Sequence, residues 1–142
     1  MLNSPRLKIL LGTLITFACG ATAMADAITV TDVAGREITL DGPAERVILG
    51  EGRQIYLLGL LEPEAPFAHV VGWREDFSQA DPDNYARYAE RFPEIEAIPT
   101  FGGFKDGTFD VEQAASLNPD VVLMNIEAKA ATEDAAYDDK FA

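Results

Sequence analysis

The chain has 142 residues, with 11 basic and 24 acidic side chains, one histidine and one cysteine, for a formal net charge of -13. A composition that is 48% hydrophobic and 25% charged belongs to a globular protein, not a disordered acidic tail, and the length allows one domain. The acidity excludes a nucleic-acid binder or a protein held on anionic lipid, and one histidine with one cysteine cannot make a zinc site alone.

Residues 1–25 read as a cleaved secretory signal peptide. Arg6 and Lys8 give a basic start without acid, Ile9 to Ala18 is an apolar run, and Ala23-Met24-Ala25 is a small-x-small exit. The run is too short and too interrupted to span a membrane. Cleavage is placed after Ala25, with Ala23 as the alternative. Cys19 follows Thr16-Phe17-Ala18, a poor match to the box before a lipid-modified cysteine, so a soluble exported protein is expected over a lipoprotein. Such a mature chain has no cysteine for a disulfide, although its compartment permits one.

Ile28-Thr29-Val30-Thr31 and Glu37-Ile38-Thr39-Leu40 alternate apolar and polar around Asp32-Val33-Ala34-Gly35, which predicts a β-hairpin. Asp41-Gly42-Pro43 breaks the chain. Arg46-Val47-Ile48-Leu49-Gly50 is apolar without alternation, as a strand buried on both faces requires. Gly50-Glu51-Gly52 opens a helix over 53–61. His69 to Trp73 is a second buried strand. Asp81-Pro82 starts a helix that runs from Asp83 to Arg91 and stops before Pro93. Ala97-Ile98-Pro99 is expected as a third strand and 101–107 as a flexible loop. Asp110 caps a further helix, with Gln113 as its capping-box partner. After Asn118-Pro119-Asp120, Val121 to Met124 is a fourth buried strand. Thr132 to Phe141 reads as a crossover helix with no strand after it, so the chain is expected to be the first part of something longer. The fold class is α/β: a hairpin, then a Rossmann-like parallel sheet with helices on both faces.

Four segments in this order, I-T-V-T-D-V-A-G-R-E-I-T-L, P-A-E-R-V-I-L-G, V-V-G-W and S-L-N-P-D-V-V-L, resemble the N-terminal lobe of periplasmic solute-binding proteins of ABC importers for iron–siderophores and cobalamin. The resemblance spans residues 28–142 and makes 26–142 an incomplete N-terminal lobe of a two-lobed fold. It implies a ligand held between two lobes, an iron already wrapped by its chelator, and no protein metal ligand or cofactor. His69 alone does not match members that bind bare zinc or manganese through several histidines. The resemblance further implies a monomer in the periplasm that takes a ferric chelate or similar small ligand to an inner-membrane ABC permease. Cobalamin and haem suit the same scaffold, and a non-functional fragment is a further alternative. An exported carboxylate-based hydrolase is the competing class, but no pair of acids stands at a defined spacing and no G-x-S-x-G occurs.

In an open α/β lobe, ligands sit beyond the C-terminal ends of the parallel strands. Three loops there supply candidates. Glu51, Gly52 and Arg53 offer close backbone approach, amide N–H groups at a helix start and a guanidinium fork for catecholate, hydroxamate or carboxylate oxygens. The same glycines mimic a dinucleotide fingerprint, but Ile55 stands where its last glycine belongs. Trp73 could stack on a flat chelator, with Arg74 offsetting its charge. Phe101, Phe104 and Lys105 suit a ligand wall. Each has an ordinary alternative: a surface arginine, a tryptophan covering the sheet, and phenylalanines packed under the loop. Glu112, in the first turn of its helix, satisfies the helix dipole, and by resemblance it matches the acid that docks on permease arginines.

Overall fold

The computed structural model describes residues 26–128. The segment expected as a signal peptide, Cys19 and the helix expected over 132–141 lie outside the described residues. Strands β1 (Ile28–Thr31) and β2 (Glu37–Leu40) pair antiparallel, Ile28 opposite Leu40 and Thr31 opposite Glu37. The turn between them is built on Asp32. Its Oδ1 accepts from the amides of Ala34 (2.8 Å) and Arg36 (2.9 Å), and its Oδ2 accepts from Arg36 Nε at 2.7 Å. Gly35 completes the turn at φ +80°, where a side chain would be strained. This places the D-x-x-G-R motif in one self-bonded turn.

The main sheet has four parallel strands in the order β5-β4-β3-β6: β3 (Val47–Leu49), β4 (Val70–Arg74), β5 (Thr100–Phe101) and β6 (Val121–Leu123). The chain leaves β3 through α1 (Ile55–Leu61) to β4. It continues through α2 (Phe77–Ala80) and α3 (Pro82–Arg91) to β5, then through α4 (Val111–Ser116) to β6 on the far side of β3. Winding reverses at β3, so the sheet is covered on both faces. Val47 and Leu49 face a cluster with Ile55, Phe67, Trp73, Phe77 and Ile95, while Ile48 faces another with Phe101, Phe109, Val111 and Ala114. Ile48 and Leu49 are fully buried, and burying each such side chain stabilises the fold by about 1.5–3 kcal/mol.

Two of the family-like segments interlock. The Arg46 guanidinium donates to the carbonyls of Leu117 and Asn118, which follow α4. Asp120 Oδ2 in turn accepts from the amides of Glu45 (2.8 Å) and Arg46 (2.9 Å). P-A-E-R-V and L-N-P-D-V-V thus fix the register of β3 against β6.

Several expected boundaries move. Ala97 ends a 3-10 turn over Pro93–Ala97, and the third strand is Thr100–Phe101, because Pro99 has no N–H to give a ladder. Pro99 instead offers its carbonyl to the amide of Trp73 at 3.1 Å. The helix expected from Arg53 begins as a 3-10 turn, Gly52–Gln54, and becomes α-helical at Ile55. The helix α2 is unforeseen. Asp110 accepts from the Gln113 amide at 2.9 Å, half of the expected capping box. Among the described residues β6 is the edge of the sheet and half-exposed, not a strand buried on both faces: Leu123 is 39% exposed. Among the described residues no helix is long and apolar enough to cross a membrane.

Candidate functional site

All four parallel strands end on the same side of the sheet, and the winding reversal falls between β3 and β6. In open α/β sheets a crevice opens at such a point, outside the carboxyl ends of the strands. A small depression lies there, lined by Gly50 and Glu51 after β3, Arg74 at the end of β4, Phe104 and Lys105 after β5, and Asn125 and Ala128 after β6. Four strand ends therefore meet at one place, and four of the sequence candidates, Glu51, Arg74, Phe104 and Lys105, line it.

The polar groups are cross-linked between loops. The Asn125 side-chain amide donates to the Glu51 carboxylate across the β3–β6 reversal. Lys105 Nζ donates to the Glu127 carboxylate, joining the loop after β5 to the turn after β6, and the bond holds the Glu127 carboxyl below the usual carboxylate range. Arg74 Nη1 lies 3.8 Å from Asp76 Oδ2. Arg53 is more than half exposed outside the depression, with Nη2 4.0 Å from Glu51 Oε2.

The loop after β5 is closed on itself, contrary to the flexible wall expected there. The Gly103 carbonyl accepts from the amides of Thr108 (3.1 Å) and Phe109 (3.2 Å), and Thr108 Oγ1 accepts from the Gly103 amide at 3.0 Å. Asp106 Oδ1 accepts from the Thr108 hydroxyl at 2.6 Å, which, with the Thr108 amide, lowers its pKa.

Four candidates need correction: Trp73, Gly52, Phe104 and Phe101. Trp73 is 2% exposed and cannot stack on a ligand. Its ring lies edge-on to Phe67 (5.7 Å) and Phe77 (5.8 Å) and stacks on Tyr85 at 6.5 Å, making it a core residue. A register shift in β4 sets which covered face it takes: Val47 pairs with Val70, but Ile48 pairs with Gly72, leaving Val71 as an extra residue. Val70 and Trp73 therefore share the α1/α3 face, which simple alternation would not place together.

The Gly52 amide is not available to a ligand oxygen, because it donates to Asp76 Oδ1 at 2.8 Å. The Glu51 amide likewise donates to Gln54 Oε1 at 3.1 Å. Gly52 is there for space: a Cβ would lie 2.7 Å from Phe77 Cβ and 2.8 Å from the Arg74 carbonyl. Phe104 is 5% exposed and stacks on Phe109 at 4.1 Å, so it offers the depression an edge and no open face. Phe101 is equally buried.

Sequence reasoning missed Asp76, Asn125 and Glu127. Asn125 follows β6, and the position of β6 beside β3 carries no local signal. Glu112 is exposed in the first turn of α4, which starts on this same edge. His69 lies just before β4 at the opposite end, 3.8 Å from Glu62. Among the described residues no group of three His, Cys, Asp or Glu side chains is placed to hold a metal ion.

No protein-family model and no curated protein matches the sequence. Solved structures do. The TroA-like periplasmic binding protein FepB from Veillonella parvula is 32% identical, with a TM-score of 0.71 over 80% of this chain and 34% of that one. A periplasmic solute-binding protein from V. parvula DSM 2008 (16% identity, TM-score 0.59) covers 78% of this chain and 32% of its own. The molybdate-binding protein MolA from Haemophilus influenzae, solved with molybdate, gives 21% identity and a TM-score of 0.54 over 76% of this chain and 32% of that one. The last two show the fold alone. The chain spans about a third of the length of these structures. Its fold is that of one lobe of a periplasmic binding protein.

Proposed function

We propose that this chain, similar to one lobe of TroA-like periplasmic binding proteins, captures an iron–siderophore and delivers it to an ABC permease in the inner membrane. The role is binding without bond chemistry. The observation that carries it is the meeting of four strand ends at the Glu51–Arg74–Lys105–Asn125 depression, at the winding reversal of a sheet shared with binding proteins. The likeness to FepB supports the binding-protein role, and the resemblance of the four sequence segments to iron–siderophore binding proteins supports a ferric chelate as the ligand. Arg74, Lys105 and Asn125 supply N–H donors for chelate oxygens, and the Phe104 edge and Ala128 supply apolar contact.

Two further parts belong to the proposal. Residues 1–25 direct the protein to the periplasm, where it acts as a monomer. Glu112 docks on permease arginines from the same edge that holds the ligand, so capture and delivery share one face.

Trp73 is the single tryptophan and lies at the end of β4, one residue from Arg74. Titration with ferric siderophores is expected to quench its emission saturably, by energy transfer to the chelate and not by contact. Arg74→Ala is expected to weaken binding about fivefold or more, as loss of a site donor does. No saturable change with any chelate, or an unaltered affinity in Arg74→Ala, contradicts the proposal.

A further inference from the structure

We infer that this lobe selects uncharged or cationic ferric chelates, of the tris-hydroxamate class, over trianionic tris-catecholates, because each described cation at its binding edge is already matched by a carboxylate of the chain. The inference rests on the binding role proposed above and specifies its ligand. Among the described residues the cations at the edge are Arg53, Arg74 and Lys105. Arg53 faces Glu51, Arg74 faces Asp76, and Lys105 is bonded to Glu127.

A fourth acid, Asp106, feels Arg74 as well: after the Thr108 hydrogen bonds, the guanidinium helps to keep its carboxyl ionised. Among the described residues these four carboxylates stand against three cations, and Glu112 adds a further acid on the same edge, on a chain whose net charge is -13. A cradle for a trianion needs a surplus of positive charge aimed at the ligand. The described residues of the edge have none to give unless an ion pair is broken, and the released carboxylate would then sit beside the anion.

Ferric iron wrapped by three catecholates carries three negative charges, whereas three hydroxamates cancel the charge of the iron. The second class asks the site for hydrogen-bond donors without net charge. A guanidinium has five N–H donors and an ammonium three, so a matched cation still presents donors to a neutral oxygen. The compensated pairs at Arg74 and Lys105 suit that ligand.

The test is equilibrium dialysis of the full chain against ferrichrome, a neutral ferric tris-hydroxamate, and against ferric enterobactin, a tris-catecholate trianion. Ferrichrome is expected to bind about tenfold tighter or more. Glu127→Gln releases Lys105 from its partner at an exposed position where folding is not at stake. It should move the ratio of the two affinities about threefold or more toward the trianion. A trianion bound as tightly as ferrichrome, or a ratio that Glu127→Gln leaves unmoved, overturns the selectivity while the binding role stands. Binding of neither chelate overturns both.

Discussion

At the residue scale, short acidic side chains do much of the local organisation. Asp32 ties the hairpin turn, Asp76 holds the Gly52 amide, Asp120 holds the amides entering β3, and Asp81 caps α3 while accepting from the Tyr56 hydroxyl at 2.5 Å. Asp32 and Asp81 have lowered pKa values, the first chiefly through the Arg36 amide and guanidinium, the second chiefly through Tyr56 and Asn84. The sign follows from linkage. A carboxyl whose folded pKa lies below its unfolded value of 3.8 stabilises the fold above that value, and the contribution is lost as pH falls through the folded pKa. The Ala34 and Arg36 amides are therefore expected to stay protected from hydrogen exchange near pH 5 and to lose protection below about pH 3.8, as Asp32 protonates. Loss of protection already at pH 5, with Asp32 still ionised, would show that another contact holds the turn.

Elements were legible in the sequence where a local rule decides them. Alternation around Asp32 and Gly35 marks the hairpin, Asp81-Pro82 marks the start of α3, and unbroken apolar runs mark β3 and β4. What failed was non-local. Val121 to Met124 looks as apolar as β3, yet β6 is an edge among the described strands, and only the sheet order decides that. Trp73 is buried because both faces of the sheet are covered, and it lies on the α1/α3 face because of an extra residue in β4, which the sequence does not announce. The start of α1 looked like an anion cradle, but its amides serve Asp76 and Gln54. The close approach of that turn to the loop after β4 can be tested. The Cβ of Gly52→Ala meets backbone 2.8 Å away at Arg74, so the loop holding Asp76 must move. A loss of about 1–3 kcal/mol in urea unfolding is expected, as for an overpacked interior site. An unchanged midpoint would mean that the loop yields freely and that Asp76 does not anchor it.

For the whole molecule, the reversal of winding at β3 forms the depression proposed as the site. It brings the loop after β6, last among the described strands, beside the loop after β3, and sets Asn125 against Glu51 across 74 positions of sequence. No spacing rule could have paired them. The candidates that were found, Glu51, Arg74, Phe104 and Lys105, were found because strand ends can be read from apolar runs. The ones that were missed lie after the strand whose neighbour the sequence does not name. The resemblance of the four segments has the same physical basis, since two of them exist to lock β3 to β6 through Arg46 and Asp120.

The most direct measurement is an amide NMR titration of the full chain with the diamagnetic gallium complex of a siderophore. The shifts are predicted to concentrate at 50–53, 74–76, 102–106 and 125–128, the four strand ends that meet at the depression. Shifts confined to the groove that Asp32, Val33, Arg36 and Ile38 of the hairpin form with Val121 to Leu123 of β6, or absent at a saturating excess of chelate, would contradict the account.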